Sequence, residues 1–363
     1  MGRVLTVMTL IITCVVTGSA SDLPRPQPIA TLDLSRLLSP GALSVESIAF
    51  VSDASIAIGL CQSRPGTNCS LSLIHRDGEA LQPYAFTPRF SRGMSIHPSS
   101  GGHILTTPVG MFPAVLFSAD LSAAQDLPSL RLSSRSGDTA AETSGHTAAE
   151  RRKGTWKIYR VLPKMEFIRE GTEQLEDISD EVVVLREGDV IRTETLDGKL
   201  LGSFSVGPKA KCYGRPHLAS ADRLYLGGYC DGARTVDFNG KNEQQLHPPK
   251  GWGGLAWSGD GKRMLFDHFS RRISILRNAG EIFVAFATLG MGVSDELDNR
   301  EEVRVLDTST GGWCFDWKRS FPEGSQGFDR GHAAISPSGD FVAITTGGTL
   351  AIYRLPAVCE IEK

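Results

Sequence analysis

Two short segments of the 363-residue chain set a carboxylate near an imidazole: Asp267-His268 and Asp329-Arg330-Gly331-His332. That pairing is what general acid–base catalysis uses, because the imidazole titrates near neutral pH and a carboxylate can orient and tune it. Asp267, His268, Asp329 and His332 are therefore the candidates for catalytic work. His97 and His103 are the only other histidines close in sequence, with the five residues of a Pro-Ser-Ser-Gly-Gly turn between them. A metal could bridge such a pair, but turn polarity accounts for both residues. The sequence has no Gly-x-Ser-x-Gly elbow, no His-Glu-x-x-His, no phosphate loop and no dinucleotide fingerprint, so no metal or cofactor is expected.

The second chemistry is that of sulfur. Residues 1–20 have a basic start at Arg3, an apolar stretch through Val16 and a Gly18-Ser19-Ala20 end, the pattern of a secretory signal peptide. The stretch is too short for a membrane span, which needs about 20 apolar residues. With Cys14 in that segment, six cysteines remain: Cys61, Cys69, Cys212, Cys230, Cys314 and Cys359. An even number in an oxidising compartment reads as disulfides. Pairing of sequence neighbours (61–69, 212–230 and 314–359) is favoured among fifteen connectivities. Loop-closure entropy then assigns about 2.6, 3.2 and 4.0 kcal/mol to the three bridges. A secreted or periplasmic chain is the expectation, with residues 21–27 as an extended Pro-containing lead-in. Asn68-Cys69-Ser70 fits a glycosylation acceptor, which matters only in a eukaryotic secretory route.

What must position these residues is a repeat. Segments 130–142, 255–266 and 333–344 align as a short apolar stretch, a Ser/Gly/Asp turn and a second apolar stretch. Weaker copies start near Ile48, Met94, Leu175 and Pro216. A second turn follows many of them, as in Asp77-Gly78, Asp197-Gly198 and Asn239-Gly240. Gly, Asn and Asp supply the left-handed positions that tight hairpins require. Two hairpins in succession make a four-stranded antiparallel unit of about 40 residues, which is a propeller blade. The units span about 46–86, 92–129, 130–168, 174–205, 215–246, 253–320 and 332–355. The chain is thus read as all-β, a single seven-bladed propeller over residues 28–358 with a short tail at 359–363. The last unit lacks one strand, and residues 28–34 are expected to supply it and close the ring.

With its Ser-Pro-Ser-Gly-Asp turn at 336–340 and its Asp-Gly-Lys turn at 197–199, the chain resembles WD40-like and YVTN-type propeller repeats of secreted bacterial proteins. The resemblance covers nearly the whole mature chain and implies the fold. It implies no one activity, because propellers carry both binding scaffolds and enzymes. The Gly-His and Trp-Asp marks of eukaryotic WD40 repeats are absent.

Within a blade of strands a to d, the a–b and c–d turns share one face and the b–c and d–a connections the other. The long connections belong to the second class, and long loops on a rigid scaffold are where binding concentrates. They carry Arg64, Arg89, Arg92, Arg151, Arg152, Lys153, Lys209, Lys211 and Arg215, with Trp252 alongside. Their summed charge is about +8, against −3 for the chain as a whole. The near-neutral total excludes bulk nucleic-acid binding. A basic face would instead receive a protein or an anionic envelope component, the chain itself being a monomer without a membrane anchor. The loop at 268–300 is the most distinctive, with an apolar run at 282–293 and an acidic one at 295–302. It suits packing on the rim, a partner interface or self-association. The runner-up reading is a propeller enzyme, lactonase-like or otherwise hydrolytic, with its site at the mouth of the central channel.

Overall fold

A computed structural model describes residues 26–37, 43–62, 69–108, 113–143, 154–207, 213–228, 233–246, 253–272, 298–320, 332–346 and 348–359. They form seven antiparallel sheets of four strands. Six blades are continuous in sequence: Leu43 to Thr87, Met94 to Leu127, Leu130 to Gly171, Gln174 to Ser205, Tyr213 to Leu246 and Gly253 to Ser320. Blade 7 holds three strands from His332 to Arg354, and its outer strand is the N-terminal segment Ala30–Asp33. Ala30 pairs with Ile352 and Asp33 with Thr349, and Leu34 N donates to Gly348 O at 2.7 Å. The ring is therefore closed by the strand expected from 28–34. Leu34, fully buried with Ile48 of blade 1 and Ile352 of blade 7, anchors that seam.

The repeat motif folds the same way wherever it is strongest. In the a–b turns of blades 3, 6 and 7 the backbone N–H of Ser134, Ser258 and Ser336 donates to the carbonyl of Thr139, Arg263 and Phe341. Each serine hydroxyl accepts from that same residue's N–H, at 3.2, 3.0 and 3.0 Å. The glycine between them, Gly137, Gly261 or Gly339, sits at φ of +68, +72 and +79°, a conformation L side chains avoid. These turns also reach sideways. Ser100 N donates to Asp138 Oδ1, Ser134 Oγ to Asp180 Oδ1, Gly259 N to Pro337 O and Ser338 N to Asp53 Oδ1, at 2.8, 2.8, 2.8 and 3.1 Å. Those bonds join blades 2 to 3, 3 to 4, 6 to 7 and 7 to 1.

Between blades the contacts are apolar. Blades pack face to face, so central strands are buried on both sides and read as continuous apolar runs, as in Ser55–Gln62. Val184 and Ile191 of blade 4 meet Leu218 and Leu226 of blade 5 in one such layer. Outer strands are largely exposed instead, and Tyr84 and Phe86 are among their exposed side chains.

Cys61–Cys69 and Cys314–Cys359 are bonded. Cys212 and Cys230 lie outside the described residues. In blade 6 the structure differs from the expected 268–300 loop: strands b and c are the ten-residue Arg263–Arg272 and Asp298–Asp307, paired from Arg263–Asp307 out to Arg272–Asp298. The acidic run is thus partly strand, with Asp298 in register with Arg272, Glu301 with Phe269 and Glu302 with His268. Glu301 is buried.

The close approach of blades gives a test. Gly78 and Gly261 both have positive φ, but a Cβ at Gly78 meets nothing within 4 Å, whereas one at Gly261 falls 2.1 Å from the Ala219 carbonyl of blade 5. Gly78→Ala should cost about 1 kcal/mol in urea unfolding, and Gly261→Ala at least about 2 kcal/mol more. Equal losses would contradict the described seating of blade 6 on blade 5.

Candidate binding face and channel mouth

The innermost strands begin at the d–a face, and in five of the seven blades their pairing slips by a residue or two near that end. The slipped residues are Glu46, Arg131, Glu176, Gly214-Arg215 and Leu255. A bulge leaves its extra residue out of the ladder and re-aims its side chain. Four of the five bulges here carry a charge, so the slips gather ionisable groups around the channel mouth.

These groups bridge adjacent blades. Glu46 accepts from Ser44 Oγ at 3.0 Å and Gly93 N at 3.4 Å, and pairs with Arg92 Nε at 3.3 Å. Arg92 also donates to Gln62 O at 2.8 Å. Glu176 is 3% exposed. Its carboxylate accepts from Gln174 Nε2 at 2.8 Å and has Arg186 and Arg215 at 3.8 and 3.7 Å. Arg215 Nε also donates to the Glu176 carbonyl. Beside it, Asp177 Oδ2 accepts from Leu218 N at 2.8 Å and stands 3.6 Å from His217 Nδ1. Desolvation raises the Glu176 pKa above its ordinary value of 4.5, while Arg215, Arg186 and His217 pull the other way. A carboxyl held towards its neutral form, next to guanidinium groups and an imidazole, can exchange a proton or meet a polar ligand.

The other end of the axis is crossed by Arg135. It sits in the a–b turn of blade 3 yet donates to Leu218 O and Ala219 O of blade 5, and its guanidinium lies 5.2 Å from the Trp257 ring centre of blade 6. Burial pulls its pKa down to about 10, opposed by the charge of Asp177. A side chain spanning from blade 3 to blades 5 and 6 lies across the a–b end of the channel.

Three of the basic residues singled out from sequence are described, and each meets a carboxylate: Arg89 with Asp126 at 2.7 Å, Arg92 with Glu46, and Arg215 with Glu176. Arg64, Arg151, Arg152, Lys153, Lys209, Lys211 and Trp252 lie outside the described residues, as does Asp329. Asp267 is half-buried and pairs with Gly253 at the start of the inner strand of blade 6, while His268 faces Glu302 in the ladder. His332 opens the inner strand of blade 7, its N–H donating to Thr345 Oγ1 at 3.1 Å. Asp267 and His332 thus share the d–a end but belong to different blades. His97 and His103 have separate partners, Thr107 Oγ1 at 2.9 Å and Ser100 O at 3.1 Å. Glu46, Glu176, Asp177, His217 and Arg135 were not anticipated. The signal available was a charged residue inside an otherwise apolar inner strand, as in Leu175-Glu176-Asp177-Ile178.

No protein-family model matches the sequence, and no curated protein matches it. Among solved structures, the chain is similar to an oligogalacturonate lyase in complex with manganese, at 12% identity and a TM-score of 0.52 over 92% of this chain and 99% of that one. It is similar also to KlHsv2 with loop 6CD replaced by a Gly-Ser linker, at 12% identity and 0.50 over 88% and 100%. A WD40 β-propeller domain of Doa1 aligns at 12% identity and 0.48 over 92% and 97%. At 12% identity the likeness to the lyase and to KlHsv2 is one of fold.

The Glu176 environment has a measurable consequence. A carboxyl whose folded pKa is raised binds its proton more tightly in the native state, so stability falls as pH climbs from 4.5 through the raised value. Denaturant midpoints of wild type and Glu176→Gln should therefore converge or cross between about pH 4 and 8, with wild type favoured at the acid end. Parallel profiles would show that burial does not dominate at this carboxyl.

Proposed function

We propose that the chain is an exported binding propeller whose b–c and d–a face receives a protein or an anionic envelope component. The observation that carries this reading is the difference between the two faces. On the a–b face, turns of a few residues bond to one another and Arg135 crosses the axis. On the other face lie the long connections, and strands b and c of blade 6 continue five residues beyond Asp267, the partner of the first inner-strand residue. At about 3.4 Å per residue that projection is roughly 17 Å long. A projecting ledge on the face that carries the long connections suits a macromolecular partner.

The charges on the inner strands support binding as well, since Glu46, Glu176 and Asp177 are held by neighbouring arginines, backbone N–H groups and an imidazole. The basic loop residues Arg64, Arg151, Arg152, Lys153, Lys209 and Lys211 supply the attraction in this reading, and Arg89, Arg92 and Arg215 order the rim. The two disulfides, the apolar N-terminal stretch and the absence of a membrane-length apolar helix among the described residues accord with a secreted or periplasmic location. A second reading, a hydrolytic propeller enzyme, rests on the raised Glu176 carboxyl and the Asp177–His217 pair.

Capture of partners from an envelope or secreted fraction tests the first reading. With Arg151, Arg152, Lys209 and Lys211 neutralised, capture should drop about tenfold or more, and wild-type capture should weaken between about 50 and 200 mM salt. Binding insensitive to both would overturn it. Hydrolysis of a lactone or ester panel, abolished by His217→Gln, would establish the second instead.

A further inference from the structure

After blade 7 the chain turns back onto blade 6. Leu355 N donates to Asp340 O at 2.8 Å, and the buried Arg263 donates to Pro356 O and Gly339 O, both at 2.7 Å. Cys359 then ends in an apolar layer with Phe315, Tyr353 and Leu355, bonded to Cys314 on the outer strand of blade 6. A third group of ligand type stands beside this bridge. Asp307 closes strand c of blade 6, and its Oδ2 is 3.8 Å from Cys359 Sγ. The two sulfurs and the carboxylate oxygen all lie within 4.8 Å of one another.

The carboxylate is aimed there by its own surroundings. Oδ1 accepts from Ser309 N at 2.8 Å, Ser309 Oγ at 2.6 Å and Thr310 N at 3.1 Å. Those three bonds fix the plane of the carboxylate and present Oδ2 to the sulfurs, which is how outer-shell partners prepare a metal ligand.

We infer that Asp307, Cys314 and Cys359 become a three-ligand site for zinc(II) when the disulfide is reduced. A dithiol reductant supplies two electrons and two protons, the S–S bond breaks into two thiols, and the reductant leaves as its own disulfide. The cation then displaces both thiol protons to solvent and binds two thiolates and one carboxylate, with water in the fourth position. Sulfur ligands select zinc over calcium and magnesium, which take all-oxygen sets. In a tetrahedron with Zn–S near 2.3 Å and Zn–O near 2.1 Å, ligand atoms stand about 3.6 Å apart. The Asp307–Cys359 separation of 3.8 Å is already close to that spacing, and the freed sulfurs need only part. The tail is thus clamped to blade 6 in either redox state, by a covalent bond when oxidised and by a cation when reduced.

Cobalt(II) serves as the spectroscopic probe. The full chain, reduced with a phosphine and titrated with cobalt(II), should develop thiolate-to-cobalt charge-transfer absorption that zinc(II) bleaches, while the oxidised chain should develop none. Because reduction also frees the other cysteines, the variants decide. Cys314→Ser should lose one equivalent of bound cobalt, and Asp307→Asn, whose amide oxygen keeps the turn bonds, should weaken that equivalent about tenfold or more. If Cys314→Ser does not fold, Asp307→Asn, which retains both sulfurs, settles the matter. An unchanged stoichiometry in a folded Cys314→Ser, or an unchanged affinity in Asp307→Asn, would overturn the site.

Discussion

The interaction on which the ring depends is the bond between a turn serine and the start of the strand that follows it. At Ser134, Ser258 and Ser336 the backbone N–H closes the hairpin and the hydroxyl accepts from the same residue's N–H. The turn is held from both sides, so its aspartate or carbonyl is left pointing at the next blade. Each turn thereby becomes donor or acceptor for its neighbour, as Ser134 does for Asp180 and Ser338 for Asp53. Face-to-face apolar layers alone would tolerate sliding; directional bonds between turns set the register of one blade on the next.

Because the a–b face is occupied in holding the ring, the opposite face is left to vary. Its inner strands start with bulges, and the bulges carry Glu46, Arg131, Glu176 and Arg215. Burial of a carboxylate such as Glu176 is tolerated because guanidinium groups and an amide donor surround it. The same pairs tie blade 1 to blade 2 and blade 4 to blade 5, so these inner-strand charges hold the ring together. Closure follows similar logic. The N-terminal strand seals blade 7, and the C-terminal tail returns to blade 6 through Arg263 and Cys359. Residues 30–34 and 355–359 are thus secured within two neighbouring blades, where an open ring would otherwise part first.

Much of the fold was legible in the sequence because its determinants are local. A hairpin needs a left-handed residue at one position, and Gly137, Gly261 and Gly339 fall there in every strong copy of the motif. The missing strand of the last blade and the spare apolar segment near Ala30 implied each other before any coordinates. The strands of blade 6 past Asp267 were not legible, since Phe269 to Arg272 and Asp298 to Glu302 lack a strand's alternation and acquire their form only by pairing. The candidate site was the least legible part. Asp267 and His332 were singled out for sequence adjacency to a His or Asp, yet the groups that converge are Glu176, Asp177 and His217, brought from two blades.

By itself, then, the amino-acid sequence determined the turn chemistry, the number of blades and the closing strand, all read from the repeat. It favoured, without determining, the pairing of Cys61 with Cys69 and of Cys314 with Cys359 as sequence neighbours among the cysteines. Only the tertiary structure decided which charged residues leave the ladder at a bulge, that Arg135 spans three blades to reach Leu218 and Trp257, and that Asp307 stands against the terminal disulfide. Those arrangements depend on ring geometry, which brings together residues more than forty positions apart, and no local preference in the chain encodes that distance.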